Sequence, residues 1–307
     1  MRAGPSTLEP SGATGVVPSL RELVALREPA GRRIGARQGR TGIRAHAPAP
    51  VRGQGMEYAE SRDYIAGDDA RHIDWRVTAR TGRPHTKTFQ TERERLTLVV
   101  ADTAPALYFG TRVRFKSVQA ARAGAVAVWA ATAAGDRVAA LRGTSSEAPV
   151  PPAGGRRGSL RVLDALARWY ATRPDGDEGL PVAFDHARRL LRPGSRLLVL
   201  SDAASALAVP AQRWLALSAH AEVCVVLLTD PLERDPPVAP VRFAAPGGAV
   251  ALDLDRATVR ARWADRFAGG IARCEAVLRA SGVRTAVLST EMASDRWLPI
   301  FMRGRTR

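Results

Sequence analysis

The sequence predicts a three-layer α/β domain built on a mostly parallel sheet. Three observations carry that prediction. From Leu96 onward, short apolar runs alternate with longer amphipathic stretches, the rhythm of strands joined by helices. The runs are apolar at successive positions rather than at every second one, as strands covered on both faces must be. Two of them end directly in an acid, at Asp102 and Asp202, where loops leave the carboxyl edge of such a sheet.

The elements follow in order. Residues 1–41 read as a flexible Arg-, Gly- and Pro-rich tail. Within it, Leu20, Leu23, Val24 and Leu26 predict one short amphipathic helix over 19–27. Residues 42–95 form a charged segment, expected to pack against the main domain, with 84–95 extended. The α/β domain spans 96–290. Its first strand, 96–101, reads Leu-Thr-Leu-Val-Val-Ala. A long helix covers 115–134, a second strand 137–141, and helices 158–171 and 180–191. The run 196–200 is a continuous apolar strand. A helix follows at 210–219 and a buried strand at 222–228. Val241 to Phe243 and Val250 to Leu252 predict a short hairpin at one sheet edge. A long helix at 256–281 and a strand at 283–288 close the domain. Residues 291–307 are a C-terminal tail, with Trp297, Ile300 and Phe301 either docking it or forming a partner patch. The Pro- and Gly-rich stretch at 151–155 and Arg156-Arg157 reads as a solvated loop.

With 307 residues, 45% of them hydrophobic, the chain can bury a sizeable core. Its net charge of +16 points toward an anionic partner. The charge is almost all arginine, however, with Lys87 and Lys116 the two lysines. It is spread along the whole chain, so it reads as composition and not as a nucleic-acid footprint. Cys224 and Cys274 give no disulfide framework and no metal spacing, and suit a reducing cytoplasm. No signal peptide is legible in the first 20 residues, and no run approaches the about 18 apolar residues of a membrane span. A cytoplasmic protein without a transmembrane segment is the expectation.

The densest information lies in 60–80. Arg62, Asp63, Asp68, Asp69, Arg71, Asp74, Arg76 and Arg80 surround Tyr64, Ile73 and Trp75. Gly67 marks a turn, and Asp68 or Asp69 can cap a helix start. Ile73 and Val77 are then expected on one helical face with Trp75 to its side, inside an ion-pair lattice. The ordered set Arg62, Tyr64, Gly67, Asp68, Asp69, Arg71, Ile73, Asp74, Trp75, Ala79 and Arg80 resembles the signature of the domain of unknown function 58 family. That resemblance implies a von Willebrand factor A-like, Rossmann-type domain and an association with MoxR-type AAA+ ATPases. It also implies a role as adaptor in the assembly or maturation of other proteins.

In the von Willebrand factor A fold, a metal-ion-dependent adhesion site uses Asp-x-Ser-x-Ser after the first strand, completed by a Thr and a further Asp. Here Asp102 is followed by Ala104 and Ala106 at the serine positions, and no Thr stands in the loop at 175–179. Ala methyls cannot ligate Mg²⁺, which needs a near-octahedral set of oxygens. The expectation is therefore no cofactor, with a degenerate acidic site of Asp102, Asp202, Asp177 and Glu178 as the alternative route to Mg²⁺ binding. No catalytic motif is present, so a non-catalytic interaction module is expected, and an unrecognised hydrolase is the remaining alternative. Pro105, Leu107, Tyr108 and Phe109 form an apolar, Pro-stiffened loop beside Asp102 and are the candidate partner-binding residues.

Overall fold

The computed structural model describes residues 15–28, 30–31, 52–65, 67–90, 95–245 and 248–302, without the side chains of 52–60, 88–90 and 245. The expectations for 1–14, for 32–51 and for 303–307 lie outside the described residues. In chain order the elements begin with α1 (Leu20–Ala25), β1 (Arg52–Asp63), α2 (Trp75–Thr81) and β2 (His85–Gln90). Next come β3 (Leu96–Ala101), α3 (Lys116–Ala133), β4 (Arg137–Arg142), β5 (Val150–Ala153), α4 (Gly155–Ala171) and α5 (Leu180–Leu190). Then follow β6 (Ser195–Ser201), α6 (Ala203–Leu207), α7 (Ala211–Ser218), β7 (Ala221–Thr229), α8 (Pro231–Arg234), β8 (Pro240–Ala245) and β9 (Gly248–Asp253). The chain closes with α9 (Ala257–Ala264), α10 (Gly270–Ala280), β10 (Arg284–Ser289) and α11 (Leu298–Met302). Two compact units divide it, one drawn from 1–36 and 95–307 and the other from 37–94.

In the larger unit a six-stranded sheet runs in the order β10-β7-β6-β3-β4-β5. Every pairing is parallel except that of the edge strand β5 with β4. Side chains alternate across the sheet. Leu98 and Val100 join Phe184 of α5, Trp214 of α7 and Leu278 of α10 on one face. Val99 and Ala101 join α3, α4, Leu23 of α1 and Phe301 of α11 on the other. The result is a three-layer α/β arrangement. Small residues let α3 sit close to the sheet. A Cβ at Gly124 would lie 2.8 Å from Leu166 Cδ1 and 3.0 Å from Leu200 Cδ1.

Several expectations are corrected. Residues 15–28 are not a loose tail, and the short helix expected over 19–27 is present as α1. Ser19 caps α1 by accepting from the Glu22 N–H, Leu23 is fully buried, and Trp129 Nε1 donates to the Leu23 carbonyl at 3.0 Å. Trp297 and Phe301 are core residues, their ring centroids 5.5 Å apart, so they dock the C-terminal stretch and offer no patch. The long helix expected over 256–281 is present, running through α9, a π turn at Asp265–Gly269 and α10 without a break. The β8–β9 hairpin exists but is a two-stranded sheet of its own, not an edge of the main one. The stretch read as a solvated loop contributes β5, and Arg156 and Arg157 fall on the first turn of α4. Pro151 and Pro152 are tolerated in β5 because an edge strand need not donate on its open side.

In the smaller unit β1 and β2 pair antiparallel, with register irregularities. Between them, α2 is capped at its start by Asp74 and at its end by Gly82, whose φ of 71° is the left-handed conformation that favours Gly.

The α1 contact predicts a stability effect. Glu22 and Arg122 form an ion pair whose side chains are 11% and 9% exposed. Removing one partner of such a pair strands the other charge. Glu22→Ala should lower unfolding free energy by roughly 3–5 kcal/mol, read by urea denaturation, and an unchanged midpoint would show α1 to be dispensable.

Candidate functional site

The sheet topology selects the place where a site can form. From β3 the chain runs through α3 to β4 on one side. From β6 it runs through α6 and α7 to β7 on the other. The adjacent strands β3 and β6 thus flank the switch point, where loops diverge and leave a crevice at the carboxyl edge. Asp102 and Asp202 follow these two strands, and Asp230 follows β7.

Each acid is held by protein donors. Asp102 is buried and accepts from Ser201 Oγ at 2.5 Å and from the Ala104 N–H at 2.9 Å. Burial pushes its carboxyl up to about 6, against the pull of those two hydrogen bonds. Asp202 caps α6 through the Ser205 N–H at 2.8 Å. Asp230 is fully buried and accepts from the Thr111 N–H and Oγ1, the Leu232 N–H and Thr290 Oγ1. Burial pushes the Asp230 carboxyl up, but these donors outweigh it and hold it below its ordinary value.

A cation sits among them. Lys116, the first residue of α3, is 2% exposed. Its Nζ lies 2.6 Å from Glu233 Oε1 and 4.0 Å from Asp202 Oδ2. Glu233 Oε2 in turn accepts from Thr229 Oγ1 at 3.1 Å and the Asp230 N–H at 2.9 Å. Lys116, Asp230 and Glu233 are site residues that the sequence reading missed. The rule that picked out Asp102 and Asp202, an acid directly after an apolar strand, also picks out Asp230. For Lys116 and Glu233 the signal was weaker, since nothing local marks a charged residue at a helix start as buried.

The four acids proposed as metal ligands do not converge. Asp177 accepts from Thr103 Oγ1 at 2.5 Å and faces Arg142 at 3.6 Å. Glu178 turns to Ser145, accepting from its N–H at 3.0 Å and its hydroxyl at 2.5 Å. Those Ser145 hydrogen bonds hold the Glu178 carboxyl below its ordinary value. Among the described residues, no three His, Cys, Asp or Glu side chains cluster as a metal site. A cavity of about 290 Å³ nevertheless opens beside Asp102, walled by Thr103, Pro105, Arg173, Asp175, Asp177 and Glu178.

The partner-binding loop is also corrected. Leu107 is fully buried in the core. Tyr108 is half-buried, and its hydroxyl donates to the Trp169 carbonyl at 2.9 Å and the Thr172 carbonyl at 3.4 Å. Phe109 is half-buried, and its carbonyl accepts from the Lys116 N–H at 2.8 Å. Pro105 alone of the four is exposed. The apolar residues of this loop anchor it and do not reach outward.

In the smaller unit the charged motif works locally. Arg62 Nη2 pairs with Asp68 Oδ1 at 2.6 Å. Asp68 Oδ2 accepts from the Ile65 N–H at 3.0 Å, and Tyr64 donates its hydroxyl to the Asp68 carbonyl at 3.1 Å. Gly67, at φ 106°, makes the turn that brings them together. Asp69 caps a single 3₁₀ turn at Ala70–His72 through the Arg71 N–H. Ile73 lies outside any helix and bridges to Thr86, which corrects the expectation that it shares a helical face with Val77. Asp74 is buried, accepts Ser61 Oγ at 2.8 Å, and takes the Arg76 and Val77 N–H groups at 3.2 Å each. The Ser61 hydrogen bond, above all, holds its carboxyl below the ordinary value. Trp75 is not enclosed by charges but stands 70% exposed, while Arg71, Ala79 and Arg80 are exposed as well.

The family described as "Protein of unknown function DUF58" matches residues 60–272. An uncharacterized protein of Mycobacterium bovis is 32% identical over 244 residues, covering 76% of this chain and 72% of that protein. An uncharacterized protein of Mycobacterium tuberculosis matches to the same extent. A crystal structure of an uncharacterized membrane spanning protein from Vibrio fischeri aligns with 64% of this chain and 90% of its own, at 12% identity and a TM-score of 0.19. That likeness is too slight to bear on the fold.

Two predictions follow from the geometry. The Asp102 carboxyl is raised from the ordinary 3.8 to about 6 in the folded protein. Between those values the folded state binds more protons, so its stabilising contribution is complete below 3.8 and lost as pH rises through 6. The melting temperature of Asp102→Asn relative to the parent should therefore be highest near neutral pH and decline on acidification. Parallel melting curves across that range would contradict this. Separately, Lys116→Met leaves Glu233 buried without its cation and should cost roughly 3–5 kcal/mol in chemical denaturation. Adding Glu233→Gln should recover part of the loss, and no recovery would refute the pairing as its cause.

Proposed function

The chain belongs to the DUF58 family, and we propose that it acts as a non-catalytic interaction module, an adaptor for a MoxR-type AAA+ ATPase in assembling or maturing other proteins. The observation that carries this reading is Trp75. It is 70% exposed at the first position of α2, with Ile65 64% exposed in the same unit. Tryptophan and arginine dominate protein-binding hot spots. Here Arg71, Arg76 and Arg80 are exposed in the same segment. Asp74 fixes the start of the helix through three accepted hydrogen bonds, so Trp75 is presented with little backbone freedom left to lose on binding.

The larger unit supports the same reading. A parallel sheet with one antiparallel edge strand, and an Asp at the end of its central strand, is consistent with a von Willebrand factor A-like domain. Such a domain without a free cation site suits a scaffold better than metal-gated adhesion. Both cysteines are free and buried, and among the described residues no helix is long and apolar enough to cross a membrane. A cytoplasmic adaptor fits these features. The second reading is a divalent-metal-dependent binding domain using Asp102, Asp202 and Asp177 or Glu178; the cavity walled by Asp175, Asp177 and Glu178 favours it, although neither Asp102 nor Asp202 lines that cavity. The hydrogen bonds already held by each of those carboxylates weigh against it.

The test is capture of a purified MoxR-type AAA+ ATPase by this chain. Trp75→Ala should abolish co-purification while leaving the melting temperature unchanged, because an exposed ring contributes little to folding. Undiminished capture by the variant would remove Trp75 from the interface.

A further inference from the structure

On the sheet face that carries α1 and α4, the surface has features that the adaptor reading does not use. An open groove of about 630 Å³ is lined by Leu20, Arg156, Arg157, Leu160, Arg161 and Asp164. Its cations come from the first two turns of α4, where Arg156, Arg157 and Arg161 are exposed. Asp164, the groove's one acid, is engaged by Arg168 Nε at 3.1 Å. Among the described residues no carboxylate pairs with Arg156, Arg157 or Arg161. Leu20 is 38% exposed, and Val16 and Val17 just before it are 48% and 43% exposed.

We propose that this groove binds an acidic amphipathic segment of a protein partner, a helix or strand whose leucine-like side chains meet Leu20 and Leu160 while its carboxylates meet the three arginines. The charge pattern chooses the occupant. Arginine forks pair bidentately with carboxylates, and a leucine floor calls for apolar side chains in the same ligand. A second copy of this chain fits poorly, because each copy carries a net charge of +16. Single-stranded nucleic acid calls for aromatic platforms between the cations, and no aromatic residue lines the groove. The proposal is independent of the ATPase reading and of Trp75.

The test uses the full chain and a labelled synthetic peptide with Leu at i, i+3 and i+4 spacing and Glu elsewhere. Fluorescence anisotropy should show binding that weakens with salt. Arg156→Glu/Arg157→Glu/Arg161→Glu should weaken it by about tenfold or more, and Leu20→Ser should also weaken it. The gentler Arg→Gln triple serves if charge reversal prevents folding, with circular dichroism melts as the check. Trp75→Ala should bind the peptide normally, which separates this groove from the ATPase contact. The proposal is overturned by absence of peptide binding, or by equal binding of a Glu-Ser peptide lacking Leu. Equal capture by phosphatidylglycerol-containing vesicles, lost with the same arginines, would overturn it in favour of a membrane surface. Dimerisation through the groove in sedimentation would overturn it in favour of self-association.

Discussion

Burying an ammonium at the end of the central sheet constrains everything near it. Taking Lys116 out of water costs several kcal/mol unless partners surround it. Glu233 supplies the opposite charge at 2.6 Å. Glu233 is then fixed by Thr229 and by the Asp230 backbone, and Asp230 by Thr111 and Thr290. The loops after β3, β7 and β10 are thereby tied to one another by side chains that cannot move singly. The same face of α3 continues the pattern. Gln119 donates to the Ser289 carbonyl at 2.8 Å and the Met292 carbonyl at 2.9 Å. Arg122 reaches Ser294 at 2.8 Å and also pairs with Glu22 of α1. Positions 116, 119 and 122 recur at helical spacing, so one polar stripe runs along an otherwise buried helix. An edge wired in this way is rigid.

The architecture was legible because strand burial leaves a plain signature. Leu96 to Ala101 is apolar at nearly every position and forms β3 over that same range. The limits arose where tertiary packing overrides local signals. Val150–Ala153 carries two prolines and reads as a loop, yet it pairs with β4 because an edge strand tolerates a missing donor. At the N-terminus the apolar spacing marked Leu23 and a short helix, but the polar, Gly-rich surroundings gave no sign that the core buries Leu23 completely. In the loop after Asp102, composition alone could not decide whether Leu107 and Tyr108 point outward. Leu107 closes the core and Tyr108 ties the loop to the end of α4. The candidate site was half legible. The positions of Asp102 and Asp202 followed from strand ends, but each acid's occupancy depends on Ser201, Ser205 and Thr103, whose roles appear only when distant segments meet.

The charged motif shows how misleading charge density can be. Eight charged residues within 62–80 suggest a lattice. The structure uses them in short-range roles instead. Asp68 closes a Gly67 turn with Arg62, Asp69 caps one 3₁₀ turn, and Asp74 caps α2. These three devices use Asp68, Asp69 and Asp74, Asp63 stands beside His85, and Arg71, Arg76 and Arg80 are left exposed. The net effect is a firmly capped helix that carries an exposed tryptophan and excess positive charge. Folding alone does not call for a large aromatic ring in that position, which is why it reads as a contact residue.

Lysine scarcity sharpens the reading of the sheet edge. The chain has 46 basic residues and two lysines, so any position that holds lysine departs from the prevailing choice. At position 116 the physical reason is visible. Arginine presents a planar fork with five donors, all of which need acceptors when buried. The space between Glu233 and Asp202 offers one carboxylate oxygen at 2.6 Å and another at 4.0 Å. A compact ammonium with three donors on a flexible stem leaves fewer of them unpaired there than a guanidinium with five would. The residue type is therefore set by the number of acceptors available at the end of the sheet.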